Sequence, residues 1–94
     1  MKVVISSRAK SDLAEIVTFI ANDKPRAARN WASTVRKSIS NLSDFSKLGR
    51  VVPEYGDDTI REIIKGQYRI VYKIDDSKST IVVLTIHHAK RPLF

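Results

Sequence analysis

The stretch Ile60–Ile86 limits what this chain can fold into. It reads I-R-E-I-I-K-G-Q-Y-R-I-V-Y-K-I, a polar turn, then T-I-V-V-L-T-I. Lys65-Gly66-Gln67 and Asp75-Asp76-Ser77-Lys78-Ser79 separate runs rich in β-branched and aromatic residues. Such runs, bounded by turn residues, predict an antiparallel meander. Tyr68, Ile70, Tyr72 and Ile74 alternate with Arg69, Val71 and Lys73, so one face of that strand is apolar and the other mixed. Val82, Leu84 and Ile86 alternate with Ile81 and Val83, so the last strand is apolar on both faces and is expected to be central or covered.

The rest of the chain must cover this meander, and its periodicity shows how. Lys2–Ile5 reads as an opening strand that ends at Ser6-Ser7, either of which can cap a following helix. Ala9, Leu13, Ile16, Val17 and Ile20 then fall on one helical face up to about Ala21. Asn22-Asp23-Lys24-Pro25 is a break, with Asp23 a candidate cap and Pro25 suited to a first turn. Ala28, Trp31, Val35, Ile39 and Leu42 form a second apolar stripe over Pro25–Ser43, with Arg26, Arg29, Arg36 and Lys37 on the opposite side. Two amphipathic helices joined so closely predict an αα-hairpin. Pro53 and Gly56 mark Val51–Asp58 as a loop. The expected fold is α+β, in the order β-α-α-β-β-β, an antiparallel sheet with an N-terminal helical hairpin packed on it. At 94 residues the chain makes a single domain, residues 1–94.

Charge narrows the function. Seventeen Lys and Arg against ten Asp and Glu give a formal charge of +7. That excess favours acidic partners such as nucleic acid, a ribosome or an acidic protein segment. The chain has no cysteine, which removes disulfide frameworks and cysteine–histidine metal sites. No apolar run is long enough to span a bilayer, and the N-terminus lacks a signal-peptide pattern. A cytoplasmic protein with no cofactor, no metal and no membrane partner is expected.

Four residues are candidates for chemistry. Arg61 and Arg69 lie inside strands. If the loop at Gly66 holds an odd number of residues they share a face and form a cation pair for phosphate or carboxylate. If it holds two residues they lie on opposite faces, and each can instead pair with Glu54, Glu62 or another acid. His88, after His87, can serve as general acid or base, and adjacent strand residues point to opposite faces, so only one of the two histidines joins any one site. Glu54 precedes Arg61 in the loop, as a base or an ion-pair partner. No P-loop, glycine-rich nucleotide motif or Ser-His-Asp pattern is present.

Taken together, Ala9-Lys10-Ser11-Asp12-Leu13…Ile16, Pro25…Ala27-Ala28, Leu42…Gly49-Arg50-Val51-Val52-Pro53-Glu54, Ile60-Arg61-Glu62, Tyr68-Arg69-Ile70-Val71-Tyr72 and Leu84-Thr85-Ile86-His87-His88…Arg91 resemble the RelE/ParE superfamily of bacterial toxins from type II toxin–antitoxin modules. The resemblance spans nearly the whole chain. It implies a small basic toxin neutralised by a cognate antitoxin that wraps it, with operator DNA bound only through that antitoxin. RelE-like members cleave mRNA in the ribosomal A site; ParE-like members poison DNA gyrase and do no chemistry. The long hairpin Ser7–Ser43 is similar to the ParE-like side. Arg69 matches an arginine used by ribosome-dependent nucleases, and Glu54 and His88 look like the glutamate and histidine of the nuclease branch with acid–base residues; Arg61 is the fourth candidate if the chain is a nuclease. The RelE-type lysines are absent near Ile60 and Glu62, and the chain ends Pro92-Leu93-Phe94 where that branch carries a catalytic tyrosine. The resemblance therefore implies a gyrase inhibitor first and a histidine-containing ribosome-dependent nuclease second. A non-toxic antitoxin partner that only co-regulates transcription is the third alternative. Antitoxin contacts are expected at Arg26, Arg29, Trp31 and Arg36, where an amphipathic helix or an added strand would dock.

Overall fold

The computed structural model describes residues 1–93; Phe94 lies outside the described residues. Strand β1 (Lys2–Ile5) leads into α1 (Ser7–Ala21) and α2 (Pro25–Asn41), followed by β2 (Arg50–Val51), β3 (Ile60–Lys65), β4 (Tyr68–Asp75) and β5 (Thr80–His88). The sheet order is β1-β5-β4-β3-β2. The meander β3-β4-β5 is antiparallel as expected. Two features go beyond the sequence reading. Arg50–Val51 forms a short edge strand on β3, and β1 pairs parallel with β5. β1 and β5 are far apart in the chain, with the hairpin and three strands between them, so no tight turn forces them antiparallel. The sheet is therefore mixed, and β5 is an interior strand.

Local chemistry explains the boundaries. Of the two candidate serines, Ser6 is the cap of α1: its hydroxyl accepts from the Ala9 N–H at 3.0 Å. α2 begins at Pro25 after Lys24, with no side-chain cap, so Asp23 does not take that role. Gly66 adopts φ +61°, which a two-residue hairpin turn needs and which glycine reaches without a Cβ clash.

The core forms between the hairpin and one sheet face. Ala9, Val35, Ile39 and Leu42 pack on Ile70, Tyr72, Ile74, Ile81, Val83 and Ile86, with Leu13, Ile16, Trp31 and Tyr68 at its margin. Both helical stripes read from the sequence face inward here. Tyr72 is fully buried; its hydroxyl donates to the Ser46 carbonyl at 2.8 Å and accepts from the Gly49 N–H at 2.9 Å. Gly49 sits too close for any side chain, because a Cβ there would lie 2.9 Å from the Tyr72 ring and closer still to the Glu62 carbonyl.

A bulge in β5 changes which residues face the core. Val71 pairs with Thr85 but Tyr72 pairs with Val83, which leaves Leu84 as the extra residue. Ile81 and Val83 point inward before the bulge, and Ile86 and His88 after it. Regular alternation would have put Ile86 on the face of Val82 and Leu84. The start of α1 bonds polar groups of β5 around the bulge and past the point where β1 ends. Ser6 N–H donates to the Val83 carbonyl and Ser6 Oγ to the Leu84 carbonyl. Asp12 Oδ2 accepts from the Ile86 N–H at 3.1 Å and from the Thr85 hydroxyl at 2.7 Å.

Candidate functional site

The turn between β3 and β4 holds two residues, since Lys65 pairs with Tyr68. Arg61 and Arg69 therefore lie on opposite sheet faces. Arg61 pairs across the ladder with Tyr72, whereas Arg69 pairs with Ile64 on one side and His87 on the other. Arg61 is held in place: Nη2 donates to Asp58 Oδ1 at 2.7 Å, Nε to the Asp58 carbonyl and Nη1 to the Gly49 carbonyl, each at 3.0 Å.

Arg69 lies in a chain of alternating charges on the face away from the helices. Its Nη1 and Nη2 donate to the two carboxylate oxygens of Glu54 at 2.7 and 2.8 Å. Its Nε donates to Glu62 Oε1 in a short hydrogen bond. Glu62 Oε2 in turn accepts from Arg50 Nε at 2.8 Å. Arg69 is only 6% exposed and Glu62 only 1%, so the centre of this neutral network of two arginines and two glutamates is desolvated, while Glu54 and Arg50 at its two ends are exposed. Bidentate bonding to Arg69, followed by its own backbone N–H, holds the Glu54 carboxyl down at about 2. The same bonds, to Glu54 first and Glu62 second, raise the Arg69 guanidinium above the usual range.

The two histidines divide as adjacent strand residues must. His87 shares the face of Arg69. Burial, followed by the Arg69 charge, pushes its pKa down, and its Nε2 is buried with no partner among the described residues. His88 faces the helices, edge-on to Tyr68 with ring centroids 5.4 Å apart. Its Nδ1 accepts from the Lys90 N–H and its Nε2 meets Gln67 Oε1, each at 3.1 Å, which puts the ring proton on Nε2. Glu54, Arg61, Arg69 and His88 thus do not converge on one surface: Glu54 and Arg69 meet, and Arg61 and His88 lie across the sheet.

The four residues expected to meet an antitoxin separate too. Arg26, Arg29 and Arg36 are exposed, while Trp31 is half-buried against Tyr68, with ring centroids 5.0 Å apart. A groove of about 390 Å³ runs between α1 and the end of the sheet. Ile16, Phe19, Tyr68, Ile86, His88 and Arg91 line it, and none of the α2 arginines does. Phe19 is 75% exposed at its edge.

Among the described residues no cluster of His, Asp or Glu could hold a metal ion, and no helix is long and apolar enough to cross a membrane. Asp12 is a structural residue to which the sequence reading gave no role, and Glu62, expected only as one possible partner of a strand arginine, is that partner for Arg69. Glu62 had one signal, an acid inside an otherwise apolar strand opposite an arginine-bearing strand.

Two helices packed on one face of a five-stranded mixed sheet is the architecture of the RelE/ParE class of toxins. A chain of the chromosomal ParDE toxin–antitoxin system from P. aeruginosa superposes with a TM-score of 0.78 at 15% identity, covering 96% of this chain and 97% of that one. The isolated E. coli RelE toxin gives 0.67 at 16% identity, over 98% and 87%. A chain of the RelBE2 toxin–antitoxin complex from Mycobacterium tuberculosis gives 0.62 at 25% identity, over 93% and 95%. No curated protein matches the sequence. The ParE toxin family of type II toxin–antitoxin systems, parDE, matches residues 3–93. The chain belongs to that family.

Proposed function

We propose that this protein arrests bacterial growth by poisoning DNA gyrase, and that a cognate antitoxin neutralises it. One observation carries the choice of target. The guanidinium of Arg69 is desolvated and its Nε, Nη1 and Nη2 all donate to carboxylates. Nuclease chemistry on mRNA would need open cations around the scissile phosphate, aimed where charge develops. An arginine already neutralised by two glutamates supplies no such field. Arg61 and His88, on the far side of the sheet, cannot join it. A toxin that acts by binding needs no such constellation, and the family match to ParE toxins supports the same reading. The antitoxin is supported by the solved relatives, among them the E. coli RelBE toxin–antitoxin complex. It is also supported by the groove beside α1, where the exposed Phe19 offers an apolar anchor.

Ribosome-dependent cleavage is the second reading, favoured by the placing of Glu54, Arg69 and His87 on one sheet face. Two assays on the purified chain separate the readings. Gyrase-dependent double-strand DNA cleavage at micromolar protein, with programmed ribosomes leaving mRNA intact, is the expected result. Cleavage of mRNA on ribosomes that His87→Ala abolishes would replace gyrase with the ribosome. Harmless expression in the absence of any antitoxin would reduce the protein to a co-regulator.

A further inference from the structure

The protein pairs its three strand arginines and Arg8 of α1 but leaves the arginines of α2 bare. Arg8, Arg50, Arg61 and Arg69 each form an ion pair with Asp or Glu. Arg26, Arg29, Arg36 and Lys37 are exposed, and among the described residues none has an acidic or hydrogen-bonding side-chain partner. α2 contains no Asp or Glu at all. At about 100° per residue, Arg26, Arg29, Ser33, Arg36, Lys37 and Ser40 fall within one arc of roughly 100°. From Arg26 to Lys37 this ridge is about 16 Å long at 1.5 Å per residue.

The ridge is electrostatically uphill within the isolated protein. Arg26 and Arg29 crowd the N-terminal end of α2, where the helix dipole is positive and anions are preferred. The first turn carries no acid and the last turn no base, the reverse of the stabilising arrangement. Arg26 and Arg29 are also a like-charge pair at i,i+3 spacing. A solvated face would ordinarily intersperse both signs. The other residues of the arc are Ser33, between the cations, and Ser40, just past them, short hydroxyl donors that let a surface approach closely. No bulky apolar side chain lies in the arc, so an amphipathic helix or a bilayer would find no anchor there. A phosphodiester backbone needs only cations and hydroxyls.

We infer that the exposed face of α2 binds the phosphate backbone of duplex DNA without reading its sequence, so that the toxin itself grips the DNA beside its target. This rests on the gyrase reading for the choice of DNA over other polyanions. It also separates Arg26, Arg29 and Arg36 from antitoxin binding.

The test is fluorescence anisotropy of a labelled 20-base-pair duplex titrated with the full chain between 50 and 200 mM salt. Each neutralised phosphate adds about −0.9 to the slope of log K against log salt, so four contacts predict about −3.6. The variant R26Q/R29Q/R36Q/K37Q should lose at least about two units of that slope and bind at least tenfold more weakly at 50 mM salt. Lys47→Gln, a cation off the ridge, should leave the slope unchanged. A melting curve of the quadruple variant no lower than that of the wild type establishes that it folds. Equal slopes for wild type and quadruple variant, or no duplex binding at 50 mM salt, would overturn the proposal. So would tighter binding to an RNA duplex of equal length or to a decaglutamate peptide. The binding assay contains no gyrase. Duplex binding lost in the variant, with gyrase unaffected by wild type, overturns the gyrase reading alone. Gyrase poisoned equally by both proteins, with no ridge-dependent duplex binding, overturns the ridge alone.

Discussion

Replacing Arg69 tests whether it supports the fold or waits for a phosphate. In Arg69→Met the apolar part of the side chain is kept and the guanidinium is lost. Glu62, 1% exposed, then keeps only Arg50, whose own side chain is 62% exposed. Removing one partner of a buried ion pair costs about 3–5 kcal/mol, and the surviving Arg50 contact puts this case near 3. A chain of this length has a total stability of about 5–14 kcal/mol, so the loss is a large share. It corresponds to a fall in melting temperature of about 12–24 °C for a domain of this size. The double variant Arg69→Met/Glu62→Leu leaves no buried charge and should recover most of the loss, because apolar replacement of a whole buried pair is often neutral. Urea denaturation followed by circular dichroism reads both variants. A single substitution costing less than about 1 kcal/mol, or a double variant no more stable than the single, would refute the structural assignment. Arg69 would then be free for a ligand.

Two further expectations concern the same sheet. Glu54 titrates at about 2 when folded instead of 4.5; because the folded value is the lower one, its contribution is present above about 4.5 and is lost as pH falls towards 2. Thermal melts across that window should show a shallower acid decline for Glu54→Gln than for wild type, and parallel declines would contradict the pairing. Asp12→Ala strips acceptors from the Ile86 N–H and the Thr85 hydroxyl and should destabilise by about 1–3 kcal/mol, with amide exchange rising first at Ile86; an unprotected Ile86 amide in the wild type would contradict this.

What the sequence determined by itself was the kind of element and the buried side of each helix. The stripes through Ala9–Leu13–Ile16 and Val35–Ile39–Leu42 bury one face whatever they pack against, and Gly66 and Pro25 mark chain reversals by their own backbone limits. The resemblance carried by Tyr68-Arg69-Ile70-Val71-Tyr72 and its companions was legible for the same reason, since short motifs keep their order along the chain. Only the tertiary structure decided what shares a surface. Side-chain direction in a strand has a period of two, so one residue more or less inverts every later position. The two-residue turn at Gly66 separates Arg61 from Arg69, and the extra residue Leu84 sends His88 to the helices and His87 to Arg69. The same holds for charge. Nothing local to Arg69 says that Glu54, fifteen positions away, and Glu62, seven away, close on it, while Arg26 and Arg29 stay bare. Ion pairing is set by distances across the sheet, which are known only once the strands are in register.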